Sequence, residues 1–463
     1  MPRDRIEFVD QISANASVRL SLSGWPWSVL DNGTSLPPPT LRRVTVSTML
    51  EDGGIIPAAA YDNRVLTIHV QLDASTPAES AVQLQRLNRE LDRGMNVLRW
   101  QPEPSTPPVY FKTFRAPDYA FSVDHGINLY DITLTIAAEP FAYGEVETIP
   151  NVLVRNNPQD PDNPKFFELT GVKGDVETPM VITADAVMWY HQTVFATRRG
   201  GNPSAAPRVL EAEAMTMGTN TVVTASGAAY SGTSSNNTAV TTFTTNAITT
   251  NRLSVTTFPA TPSVDVRGLY RVFARVNVSV AGTSFQLRLN HGQRGIFNDS
   301  QVYTISNLNR PVMVDCGLVQ LPEGYNPSGI GPSNSPLAVA GGNFSFGALR
   351  TAGTGNLIWD YILFVPADDH FCIVNWGTVS TSSYVMDGYN RAIYGIDASG
   401  NVIDIGAAYF TGDPPVVSPG KTNRITYIND VSPSPGADDQ VTWTTNLDLS
   451  YYPRYLYVRP VNL

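Results

Sequence analysis

Charge is what this sequence has least of. Only 16% of its 463 residues are Asp, Glu, Lys or Arg, against roughly a quarter in an ordinary soluble protein. No block of like charges occurs and the net charge is -10, so nucleic-acid binding, which needs a basic face, is not expected. The two cysteines, Cys316 and Cys372, allow one disulfide at most; the alternative is two small buried hydrophobes. Apolar runs stop well short of the roughly 18 residues a membrane span requires. MPRDRIEFVD has no apolar run behind its arginines, so no secretory signal is expected and synthesis in the cytoplasm is. His69, His125, His191, His291 and His370 are isolated, without the spacing of a zinc site. A nucleophile elbow, a phosphate loop and a zinc-protease motif are all missing. The cluster Asp368, Asp369 and His370 reads as a solvated linker. A non-enzymatic protein is expected.

Thr, Ser, Asn, Gly and Pro take the place of the missing charge, with 35 Gly and 35 Pro. These residues end strands, build turns and interrupt helices. The fold class is therefore mainly β. The length suggests roughly three domains, built as antiparallel β-sandwiches with one well-capped helix in the first.

The strand signals are explicit. In RVLTIHVQL, Leu66, Ile68, Val70 and Leu72 alternate with Thr67, His69 and Gln71. In LYDITLTIAAE, Tyr130, Ile132, Leu134 and Ile136 oppose Asp131, Thr133 and Thr135. Such alternation marks half-buried strands of an antiparallel sheet. Between them a helix over about 77–93 is predicted. Thr76 is its N-cap, Pro77 its first residue and Glu79 the partner in a capping box. Ala81, Leu84, Leu87 and Leu91 form its apolar stripe, and Gly94 is expected to end it in a left-handed conformation. NVLVRNNPQDPDNPK reads as a linker. From Ala214 to Asn251 there is no charged residue; short exposed strands are preferred over disorder. In GLYRVFARVNVSV, Tyr270, Val272, Ala274, Val276 and Val278 alternate with Arg271, Phe273, Arg275, Asn277 and Ser279, as a sandwich strand should.

The order of features in the first 145 residues resembles the N-terminal domain of phage distal tail proteins. RVLTIHVQL leads to the helix ending RELDRG, then VLRW, and a long strand closes with AAEPFAYGE at 137–145. FELTGVKGDVETPMVITAD (167–185) and VVSPGKTNRITYI (416–428) resemble parts of the galectin-like sandwich carried by such tail proteins. VLEAEAMT (209–216), GLYRVFARV (268–276) and LIWDYILF (357–364) resemble a galactose-binding-like carbohydrate-binding module. The expected organisation is a ring (belt) domain at 1–150, a linker and the first galectin-like strands at 151–204, a carbohydrate-binding-module-like jelly roll at 205–366, and a C-terminal β domain at 367–463. The last completes the sandwich begun at 165–200, or stands as a consecutive domain.

The resemblance implies a bacteriophage minor tail protein in the virion tail tip. There a hexameric ring would join tail tube protein, tape measure and hub or baseplate proteins, with outer sandwiches open to host surface glycans. A free adhesin or lectin is an alternative. A glycoside hydrolase with an attached module is another, because paired carboxylates meet in space and not in order. Matching the module family places Glu211, Glu213 and Asp360 at a structural calcium; the alternative is that these carboxylates cap strand ends or hydrogen-bond locally. Calcium takes six to eight oxygens, so backbone carbonyls would have to join them. Tyr230, Phe297 and Tyr303 are candidates for stacking on sugar rings, or else pack against neighbouring loops or subunits.

Overall fold

The computed structural model describes residues 5–457, apart from 31–33, 48–53, 117–118, 125–127, 156–165, 186–189, 198–207, 226–236, 245–250, 256–267, 292–295, 307, 309–310, 322–343, 367–369, 377–380, 407 and 432–443. Among the described residues strands dominate, all pairings are antiparallel, and there is one α-helix. The mainly β class is what the turn-forming composition requires.

The first sheet runs in the order Val18–Ser21, Arg5–Val9, Met95–Gln101, Val109–Phe114, Leu129–Ala138, Arg64–Asp73 and Trp27–Val29, with Tyr119–Asp124 beside Leu129–Ala138. Leu66, Ile68, Val70 and Leu72 are fully buried, as are Ile132 and Leu134. The two strands pair in register, Leu134 against Ile68, so their apolar faces line one core. Gln71 donates to Asp131 at 3.1 Å on the other face.

The helix spans Pro77–Leu91. Thr76 Oγ1 accepts from the Glu79 amide at 3.2 Å. Glu79 accepts in turn from the Ser75 amide at 3.0 Å, one residue earlier than a reciprocal box would use. The buried stripe is Ser80, Leu87 and Leu91 with Leu84 half-buried, and Ala81 is exposed. The expected stripe was off by one at its start: 80, 84, 87 and 91 keep helical spacing, and Ser80 satisfies its hydroxyl on the Thr76 carbonyl at 3.2 Å. The helix also stops earlier than expected. Asp92 is the C-cap in right-handed geometry, its amide bonded to the Asn88 carbonyl at 2.9 Å. Gly94 is not in the left-handed region, so it does not end the helix.

Two sheets form the middle sandwich. One runs Thr221–Ala225, Asn237–Thr241, Leu357–Pro366, Gly268–Val278 and Val312–Leu321, with Arg208–Glu211 also on Leu357–Pro366; the other runs Thr216–Met217, Arg252–Val255, Phe344–Ala352, Thr283–His291 and Ile296–Asp299, with Tyr303–Ile305 also on Thr283–His291. Between them Trp359, Phe285, Phe346 and Phe364 fill the core. Among the described residues three short strands lie in the charge-free stretch. Val222 and Val223 are exposed there, but Asn237–Thr241 is an inner strand with Thr238, Ala239 and Thr241 buried, and not the exposed strand expected.

Two further sheets combine segments from both sides of this sandwich. Glu147–Arg155 pairs with Thr444–Tyr451, which pairs with Thr178–Asp185. Tyr190–Thr197 lies between Asn423–Val431 and His370–Asn375. The first residues of the expected linker, NVLVR, are therefore strand: Val152, Leu153, Val154 and Arg155 face Leu447, Asn446, Thr445 and Thr444. The proline-rich remainder lies outside the described residues. Cys316 and Cys372 are free, buried in different cores, and burial raises both thiols far above the usual range.

Candidate functional site

In the first sheet, Tyr119–Asp124 pairs, among the described residues, along one side, with Leu129–Ala138. Phe121 on it is 56% exposed. Leu41–Ser47 and Gly54–Tyr61 form a hairpin that pairs with no other described strand. On the helix, Val82 is exposed, and an open depression lined by Gln85, Asn88, Arg89, Leu91 and Asp92 runs to its C-terminal end. Arg115 pairs with Asp92 at this end.

The chain's last described strand, Arg454–Tyr455, returns to the first sheet and pairs with Ala142–Tyr143. Arg64 donates Nε to the Pro140 carbonyl at 2.7 Å. Around this return the Tyr389 ring meets Tyr143 at 5.8 Å and Tyr452 at 5.7 Å, both edge-on. Lys112 Nζ lies 4.2 Å from the Tyr389 centroid, and the Arg454 guanidinium 5.1 Å from it and 5.1 Å from that of Phe141. Burial raises the Tyr143 and Tyr389 hydroxyls, Tyr389 to about 12, and lowers Lys112. The AAEPFAYGE segment is thus one half of a joint.

A second joint holds the two sandwiches together. Val194, Ala196, Ile428, Phe273, Met313, Tyr361, Leu363 and Val365 form one buried cluster. Phe273 stacks on Phe371 at 5.4 Å, and the Arg275 side chain, 1% exposed, forms an ion pair with Asp360. The polar-looking face of GLYRVFARVNVSV is therefore an interdomain face.

The three carboxylates expected at calcium each have a defined place in the middle sandwich. Asp360 is engaged by Arg275, which already supplies a positive charge. Glu211 opposes Tyr361 in the strand register, and Glu213 sits in the short helical turn that follows. Among the described residues no three His, Cys, Asp or Glu side chains are placed to hold a metal ion. Of the stacking candidates, Tyr230 and the Phe297 side chain lie outside the described residues, as do Asp368 and Asp369. Tyr303 is described, stacked on Phe285 at 6.3 Å.

Tyr303 borders a cleft of about 370 Å³ between the sandwiches, together with Arg271, Asp299, Asp315, Asn375 and Tyr409. Arg271 Nε donates to Asp315 Oδ1 at 2.8 Å, as does the Gly317 amide at 2.9 Å. Arg288 grips Asp299 through two bonds of 2.5 and 2.6 Å. The guanidinium holds the Asp299 carboxyl below the usual carboxylate range.

No family model matches the chain, and no curated protein matches it. Among solved structures, one chain of the phage P2 baseplate in its activated conformation with Ca aligns over 99% of this chain and 100% of its own, at 9% identity and a TM-score of 0.32. The SPP1 Dit protein, titled a paradigm of the hub adsorption apparatus in Gram-positive infecting phages, aligns over 43% of this chain and 71% of its own, at 15% identity and a TM-score of 0.30. A CBM22–GH10 fragment of a Clostridium thermocellum xylanase aligns over 34% of this chain and 26% of its own, at 10% identity and a TM-score of 0.21. Scores this low transfer neither fold nor role.

Tyr303 is a candidate from the sequence, and its companions in the cleft are not. Asn375 and Tyr409 face each other across two paired strands, yet no local pattern distinguishes either from ordinary strand residues.

Proposed function

We propose that the chain is a structural component of a phage tail tip, forming a ring at the distal end of the tail tube. The resemblance of the first 145 residues to distal tail proteins gives this reading its identity. What supports ring formation is that the N-terminal domain offers unlike surfaces: the open strand with Phe121, and the outer face of the helix with Val82. A closed ring needs two different, complementary patches on each copy. An open strand edge is also a ready site for pairing with another chain. On this reading six copies close the tube and contact tape measure and hub proteins, while the outer sandwiches face the host and bind its surface glycans. No catalysis is assigned. Among the described residues no helix is long and apolar enough to cross a membrane.

Light scattering on the full chain, alone and with its tail partners, tests the ring. A hexamer is expected, and Phe121→Asp should reduce it to monomers while leaving the thermal unfolding temperature within about 2 °C, as befits an exposed position. Antibody labelling of virions supplies the second check. Label at the head, or complete infectious tails on particles that lack this polypeptide, would sink the proposal.

A further inference from the structure

We propose that the cleft between the two sandwiches binds a neutral saccharide unit, held between Tyr303 and Tyr409 and hydrogen-bonded by Asp299, Asp315 and Asn375. This inference rests on the reading that the outer sandwiches recognise host glycans, and gives that reading a site.

The two banks come from different domains. Asp299, Tyr303 and Asp315 belong to the middle sandwich, and Asn375 and Tyr409 to the split one. One tyrosine stands on each bank. Tyr303 is held by stacking on Phe285, while Tyr409 is 55% exposed. Aromatic rings present apolar faces, and a pyranose has a C–H face that packs on such a ring while its hydroxyls project from the rim.

Charge selects the ligand class. Each lining carboxylate carries its own guanidinium, Arg271 on Asp315 and Arg288 on Asp299. The cleft is close to neutral, so neither a polyanion nor a cation is favoured. A carboxylate has about four lone-pair sites, and a two-pronged arginine occupies about half of them. On Asp315 the Gly317 amide takes one more, which leaves about one site there and about two on Asp299, fixed in place and able to accept from O–H donors. A nucleic acid or phosphorylated ligand would need excess positive charge, which is not there.

Size selects further. Small-molecule pockets span about 300–1,000 Å³, and this cleft is at the lower end at about 370 Å³. One or two sugar rings fit, as an end or a branch of a longer chain.

The test is calorimetry on the full chain, using glucose, galactose, rhamnose and N-acetylglucosamine, their disaccharides, and the host's isolated cell-wall polysaccharide as probes. At least one probe should bind. Tyr409→Ala should weaken it at least tenfold, and Thr411→Trp, which places a large ring at an exposed lining position, should abolish it. Both variants should keep the native unfolding temperature and ring size. If a saccharide binds and neither substitution weakens it, the cleft is ruled out while glycan recognition stands. If no probe binds, both fall together.

Discussion

Asp360→Ala is expected to cost about 3–5 kcal/mol of stability, the range for removing one partner of a buried ion pair. The Arg275 and Asp360 side chains are 1% and 6% exposed. Register slips between Arg275 and Val276, so that Asp360 is the extra residue of a bulge in Leu357–Pro366. That bulge turns the carboxylate toward the face packed on the second sandwich. Without it, the buried Arg275 guanidinium at the joint loses its ion pair. The exposed pair Arg391–Asp413, with side chains 58% and 64% exposed, provides the contrast: breaking it should change stability by about 0–1 kcal/mol. Urea unfolding of the full chain measures both. The double replacement Arg275→Met with Asp360→Leu should recover most of the loss, because matched apolar groups need no partner. A single variant as stable as the native chain would mean that water reaches the site.

Tyr389→Ala is the second large effect, with about 2–4 kcal/mol expected. Each edge-on aromatic contact contributes about 0.5–1.5 kcal/mol and each cation over the ring about 0.5–2 kcal/mol, without full additivity among neighbours. Tyr389 makes two such contacts and receives two cations. Its loss should let the N-terminal domain unfold apart from the rest, seen as two calorimetric transitions in place of one.

The same joint should open in alkali. Burial pushes Tyr389 and Tyr110 up to about 12 from an ordinary value of 10.0. A folded value above the unfolded one gives stability that is present below pH 10 and lost as pH rises toward 12. Lys112 runs the other way, since burial lowers it, but the buried tyrosines outnumber it. Tyrosinate absorbance should therefore rise together with separation of the domains, and Tyr389→Phe should remove part of that alkaline loss.

Where the reading along the chain succeeded, the controlling interactions were local. Leu66 to Leu72 and Ile132 to Leu134 alternate because a pleated strand points successive side chains to opposite faces. Thr76 caps its helix because a hydroxyl there reaches an amide three residues on. The smaller errors, Ala81 for Ser80 and Gly94 for Asp92, come from end positions where one residue either way is nearly equal in energy. NVLVR looks like linker in the sequence because its partner, Thr444–Tyr451, lies nearly 300 residues away and nothing nearby signals it.

By itself, then, the amino-acid order determined the β class, the faces of the strands and the start of the helix, since each depends on groups within a few residues. Only the tertiary structure decided that Arg271, Phe273 and Arg275 point into a domain joint, that Asp360 meets an arginine, that Arg454 returns to the first sheet, and that Tyr303 and Tyr409 face one cleft. Those outcomes rest on contacts between distant segments, where packing and desolvation, and not local geometry, set the energy.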